Sequence, residues 1–156
     1  MFGNFKRWLG FSEVKMRISA LEVYPTDVNT INAELLFSAK GAASIEAIRL
    51  RLIERYERGR GENKQIDEYI LGEKLIEEPL HLENGQDFSL FFKLPFQFQL
   101  SNMDRLERSN VLGKSLAGFA KSLKSAKSSY RIEAVAQLEG QEGQLWEECK
   151  IRFQGK

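Results

Sequence analysis

The stretch that most limits what this chain can become is residues 45–58, IEAIRLRLIERYER, where apolar and charged side chains alternate for longer than an average strand. Ile48, Leu50 and Leu52 fall on one side and Arg49, Arg51 and Arg55 on the other. That period of two belongs to an antiparallel strand with one dry face and one wet face. Helical winding would scatter the arginines around its circumference. A second run, FSLFFKLP at 88–95, sets Phe88, Leu90, Phe92 and Leu94 on one face and closes at Pro95, which has no N–H to give to a ladder. These two strands are expected to supply much of the core of a sandwich.

Shorter runs extend the pattern. Val14, Met16, Ile18 and Ala20 alternate in a first strand over 12–23, where the shift to Leu21 and Val23 predicts a bulge, and Tyr24, Pro25, Thr26 and Asp27 form the turn after it. Ile31, Ala33, Leu35 and Phe37 give the next strand its apolar face. Residues 58–63, RGRGEN, read as a polar hairpin tip; they lack the GK[ST] ending of a phosphate-cradling loop. Residues 66–82 carry two apolar patches either side of Gly72, which fit two short strands or one kinked strand equally well. Asn84 and Gly85 are a strong turn pair that sets the phenylalanine-rich strand antiparallel to what precedes it. Two late strands, with Tyr130, Ile132, Ala134, Ala136 and Leu138 and then Leu145, Cys149, Ile151 and Phe153, are joined by a hairpin at 140–143. The sum is an all-β fold, an antiparallel β-sandwich of seven or eight strands.

Two segments depart from strand periodicity. Within an insertion at 101–129, Leu112, Leu116, Phe119, Ala120 and Leu123 recur at helical spacing, and Ser109 can cap the start. One amphipathic helix is therefore expected at about 110–127, with Lys114, Lys121 and Lys124 away from its apolar face. The outside of the sandwich, a membrane surface or a partner protein would cover that face. Residues 1–11 combine Phe5, Trp8 and Phe11 with Lys6 and Arg7. They either lie at a membrane interface or dock on the domain's own flank or a second copy. The organisation expected is this amphipathic segment followed by a single domain over 12–156.

The 156 residues suffice for one core without a metal or disulfide staple. Lys and Arg number 23 against 22 Asp and Glu, and a net charge of +1 gives no bulk attraction to nucleic acid or an anionic membrane. The arginine stripe of residues 49, 51 and 55 lacks interleaved aromatics, so no nucleic-acid partner is expected. The single cysteine, Cys149, excludes an intramolecular disulfide and reads as a small buried hydrophobe in a reducing compartment. No apolar run approaches the length of a membrane span, and the first residues are too interrupted for a secretory signal, so the expected location is cytoplasmic.

Catalytic chemistry is sparse. His81 is the only histidine, no GxSxG context accompanies it, and a strand-edge position after Pro79 accounts for it better than a hydrolase site does. Glu77 and Glu78, read as neighbours in a strand, would point to opposite faces. One cysteine and one histidine cannot form a structural zinc site, and no calcium loop is present; no metal or cofactor is expected.

The chain resembles the amino-terminal domain of arrestin-like proteins, and among these the bacterial sporulation-control protein family. The resemblance rests on an FKRWLG start, IEAIRLRLIERY, FSLFFKLPF after an NG turn, and YRIEAVAQLEG. The family's L-R-L-x-x-R-Y pattern is matched by Leu50, Arg51, Leu52, Arg55 and Tyr56, and its F-x-L-P-F pattern by Phe92, Leu94, Pro95 and Phe96. The match covers roughly 1–100 and 129–153. It implies an immunoglobulin-like sandwich acting as a non-enzymatic adaptor or scaffold for another protein, in a sporulation or stress-signalling context. Where members carry a P-G-E-x-V-x-G turn, this chain has Pro25, Thr26, Asp27 and Val28, and the second sandwich usual in the family does not follow. The resemblance carries over no binding residues. From the residues themselves, Phe5, Trp8, Phe11, Lys114, Lys121 and Lys124 are the candidate interaction surface, the alternative function is peripheral membrane association, and the acidic middle stretch beside a basic helix predicts self-association.

Overall fold

The alternation at 45–58 becomes the longest strand of a two-sheet sandwich. The computed structural model describes residues 14–59, 61–98, 126–140 and 143–155. Among these residues there are nine strands: β1 (Val14–Ser19), β2 (Val23–Tyr24), β3 (Thr30–Ala39), β4 (Ala43–Arg58), β5 (Gln65–Ile76), β6 (Leu80–Leu82), β7 (Asp87–Pro95), β8 (Lys127–Leu138) and β9 (Gln144–Phe153). A 3-10 turn at Gly61–Asn63 lies at the hairpin tip. One sheet has the order β1-β3-β7; the other has six strands in the order β2-β9-β8-β4-β5, with β6 also on β4.

Side-chain parity decides which faces meet. Ile48, Leu50 and Leu52 of β4 and Ile132, Ala134 and Ala136 of β8 face Ile31, Leu35 and Phe37 of β3 and Leu94 of β7 in one continuous core. Glu46 is the extra residue of a bulge between Ile45 and Ala47, so Ile45 points inward despite its odd number. One end of the core is aromatic. The Phe153 ring lies edge-on to Phe98 at 4.9 Å and to Tyr130 at 5.0 Å, and Phe96 tilts against it at 5.4 Å.

Several expectations change at the sheet edges. The predicted bulge at Leu21 is a crossing instead: β1 belongs to the three-stranded sheet and β2 to the six-stranded one. Tyr24, expected in a turn, is buried as the last residue of β2. Its hydroxyl accepts a hydrogen bond from the Leu21 N–H and donates to the Asn32 carbonyl, both at 3.1 Å, fastening the crossing to the opposite sheet. Burial holds the phenol above its ordinary pKa. The β2–β9 pair is also parallel, in a sandwich otherwise antiparallel.

Gly72 proves to be the interior of one strand, and β6 is separate, so the count exceeds seven or eight. The turn at Asn84–Gly85, where Gly85 takes φ +79°, carries the chain from one sheet to the other; β7 pairs with β3 and not with the preceding strand. A turn pair fixes reversal of direction but not the partner. The predicted helix at 110–127 falls outside the described residues save at its end, where the structure corrects it. Lys127, Ser128 and Ser129 open β8 opposite Glu57, Tyr56 and Arg55, so strand pairing has begun by 127.

Candidate docking surfaces

The sandwich leaves two outer faces, and they differ in charge. On the six-stranded sheet, directly paired residues form rows across the strands. Leu75, Arg49, Val135 and Trp146 make one row; Glu73, Arg51, Glu133 and Glu148 make the next; Ile70, Ile53, Arg131 and Lys150 make the third. Five large apolar side chains stand out on this face among the described residues: Trp146 (56% exposed), Leu75 (53%), Ile70 (48%), Ile66 (46%) and Val23 (42%).

Most of the charges between them neutralise one another, Arg49 and Lys150 being the cations of these rows without a salt bridge among the described residues. Arg131 donates to Glu68, lies 3.3 Å from Glu148 and 3.9 Å from Glu133, and its guanidinium is held above its ordinary pKa chiefly by the Glu68 hydrogen bond. Arg51 meets Glu73 at 3.0 Å, and Arg152 meets Glu22 at 2.9 Å. Glu57 gathers Arg55, Lys64 and Lys127 within 3.5 Å, and the Lys64 hydrogen bond leads in holding its carboxyl below the ordinary range. The expected basic stripe of 49, 51 and 55 is therefore largely covered by acids from β5 and from β4 itself. The acidic middle stretch is the other half of the same network. Between the ends of β8, β9 and β5 lies an open hollow of about 780 Å³, lined by Arg55, Glu68, Ser129, Arg131 and Lys150 among others.

The three-stranded face is different. Phe91, 80% exposed, is paired with Glu34 and through it with Ser19, and Leu21 (58%) rises beside that row. Phe91 and Leu21 share a shallow hollow of about 620 Å³ with Lys74 and Lys93. Lys15 and Arg17 point outward from β1. Among the described residues none of these four cations has a salt-bridge partner; Lys74 donates to the Lys93 carbonyl oxygen at 3.2 Å.

The sequence-derived surface of Phe5, Trp8, Phe11, Lys114, Lys121 and Lys124 lies wholly outside the described residues. Phe91, Trp146 and Leu75 were not singled out by sequence. Their signal was legible, since each is an apolar residue at the wet parity of an alternating strand.

The remaining candidates resolve locally. His81 Nδ1 is 2.6 Å from Ser44 Oγ, its cross-strand partner, and makes no other hydrogen bond among the described residues. Glu77 and Glu78 lie between β5 and β6, not in a strand. Cys149 is half-buried rather than buried, and burial, with the Glu147 charge second, keeps its thiol above the ordinary value and so protonated. Among the described residues, no three His, Cys, Asp or Glu side chains are arranged to hold a metal, and no helix is long and apolar enough to cross a membrane.

No family model matches the chain, and no curated protein matches it. A solved structure does: Spo0M, a sporulation control protein from Bacillus subtilis, superimposes with a TM-score of 0.61 at 12% identity. The fold is arrestin-like. The superposition covers 93% of this chain and 51% of Spo0M, so the chain spans about half the length of the structure it matches. At this identity the likeness reaches the arrestin-like sandwich and not the surface chemistry, which has to be read from this chain's own side chains.

Proposed function

We propose that this chain is a non-enzymatic adaptor module that works in the cytoplasm by binding another protein. The observation that carries the reading is the row in which Leu75, Val135 and Trp146 flank Arg49 above a network of mutually neutralised charges. Apolar anchors centred on an aromatic and an arginine are the composition of interface hot spots. A protein that covers the paired Arg51–Glu73 and Arg131 clusters does not strand those charges, and Arg49, which has no salt bridge among the described residues, can take a partner from it. The likeness to Spo0M, a sporulation control protein, supports a regulatory role in sporulation. Among the described residues, no third group is hydrogen-bonded to the His81 ring of the Ser44–His81 pair.

A photoreactive residue placed at position 75 in living cells tests this. It should give an adduct with one protein species, and Trp146→Glu, which sits on the exposed side of β9, should abolish it. An adduct indifferent to Trp146→Glu, or none at all, overturns the reading. Peripheral membrane association is the second reading, and the three-stranded face favours it.

A further inference from the structure

We infer that the outer face of the three-stranded sheet docks on an anionic lipid bilayer. The inference rests on the membrane reading above and uses a surface separate from the Trp146 row, so the two proposals can fail independently.

The first ground is the combination of side chains. Phe91 is the most exposed large apolar residue described, and Leu21 is the next. Both belong to one shallow hollow, flanked by Lys74 and Lys93. An aromatic ring and a leucine side by side can enter the boundary between headgroups and acyl chains, while lysines beside them keep their ammonium groups among the headgroups.

The second ground is electrostatic. Lys15, Arg17, Lys74 and Lys93 outnumber the acids of this face, Glu34 and Asp87, and none of the four has a salt-bridge partner among the described residues. On the six-stranded face Arg51, Arg55, Arg131 and Arg152 are paired with acids, and only Arg49 and Lys150 of its outward rows lack a salt bridge among the described residues; on this face all four cations lack one. The four cations are spread from the β1 edge to β5, and the hollow beside Phe91 takes in only Lys74 and Lys93 of them. A protein partner would need counter-charges fixed at matching points. A bilayer supplies laterally mobile anions, and each Lys or Arg near its surface strengthens binding by roughly five-fold.

The third ground is continuity along the chain. In sequence, β1, the strand bearing Lys15 and Arg17, follows two residues after FGNFKRWLGF, in which Lys6 and Arg7 lie between Phe5 and Trp8, with Phe11 at the end. Aromatic and basic residues thus lead by a two-residue step into the edge of a face with the same composition.

Vesicle flotation of the full chain tests the proposal, using phosphatidylcholine vesicles with and without about 30% phosphatidylserine. The chain should float with the anionic vesicles only, and high salt should release it. Phe91→Ser should weaken binding about ten-fold, and Arg17→Glu with Lys93→Glu at least about twenty-fold. All three substitutions sit at exposed positions, and unchanged melting would confirm that the variants fold. Trp146→Glu should float like the unaltered chain. Failure of the unaltered chain to float overturns the proposal, as does full flotation of the Phe91 and charge-reversal variants. Should Phe91→Ser leave flotation intact but abolish crosslinking to a protein from a photoreactive residue at position 21, in the same hollow, the face is a protein site and the bilayer is the wrong partner.

Discussion

The backbone of Gly72 in β5 runs so close to the carbonyl oxygen of Pro95 that a Cβ there would overlap it, while also standing 2.9 Å from the Cβ of Phe96. The approach is fixed one residue earlier, where the Leu71 carbonyl accepts the Gln97 N–H at 3.0 Å and ties the two sheets together along this edge. Leu71 is also the extra residue in the β4–β5 pairing, and it turns inward while Ile70 stays exposed. Gly72→Ala must therefore push backbone against backbone. It should lower stability by about 2–3 kcal/mol in urea unfolding. Gly143→Ala, which meets nothing within 4 Å, should change it by less than about 0.5 kcal/mol.

Tyr130 and Glu54 are direct cross-strand partners, and the phenol donates to the buried Glu54 carboxylate at 3.3 Å. Burial, and after it the Glu54 charge, pushes the Tyr130 phenol up from 10.0 to about 12. The folded chain thus holds this proton more tightly than the unfolded chain does. The corresponding stability is intact below pH 10.0 and lost as pH rises toward about 12. Urea midpoints should fall across that window, and Tyr130→Phe should flatten the fall without removing it, because Tyr24 is shifted in the same direction. At neutral pH the same variant should cost about 1–2 kcal/mol by leaving Glu54 without its donor.

Arg131 stands among Glu68 of β5, Glu133 of its own strand β8 and Glu148 of β9. Arg131→Met keeps the aliphatic stem but leaves the carboxylates facing one another. A loss of roughly 1–2 kcal/mol at neutral pH is expected. The deficit should narrow in high salt. A deficit independent of salt would mean that lost packing, and not repulsion, is the cause.

What could be read from sequence follows from where the information lies. Parity placed Leu50, Leu52, Phe92, Leu94, Ile132 and Phe153 in the core, because burial of one strand face is written in every second residue. Parity cannot say which strand lies beside which. That is why the Asn84–Gly85 turn looked like a hairpin, and why the crossing between Ser19 and Val23 looked like a bulge. The Leu71–Gln97 tie and the Ser44–His81 pair depend on residues 26 and 37 positions apart being brought together by the fold. The surface was half legible: Phe91, Leu75 and Trp146 break the polar parity of their strands, but the partners that neutralise Arg131 become visible only once β5, β8 and β9 are set in register.

The short parallel pair between Val23–Tyr24 and Arg152–Phe153 has a consequence for biosynthesis. Tyr24 leaves the ribosome early, and the backbone that pairs with it is translated some 130 residues later. At about 5–20 residues per second, the crossing that staples both layers waits roughly 6 to 26 seconds for its mate. Over that interval the nascent chain carries an unfinished border, and closure of the sandwich is timed by the arrival of its ninth strand.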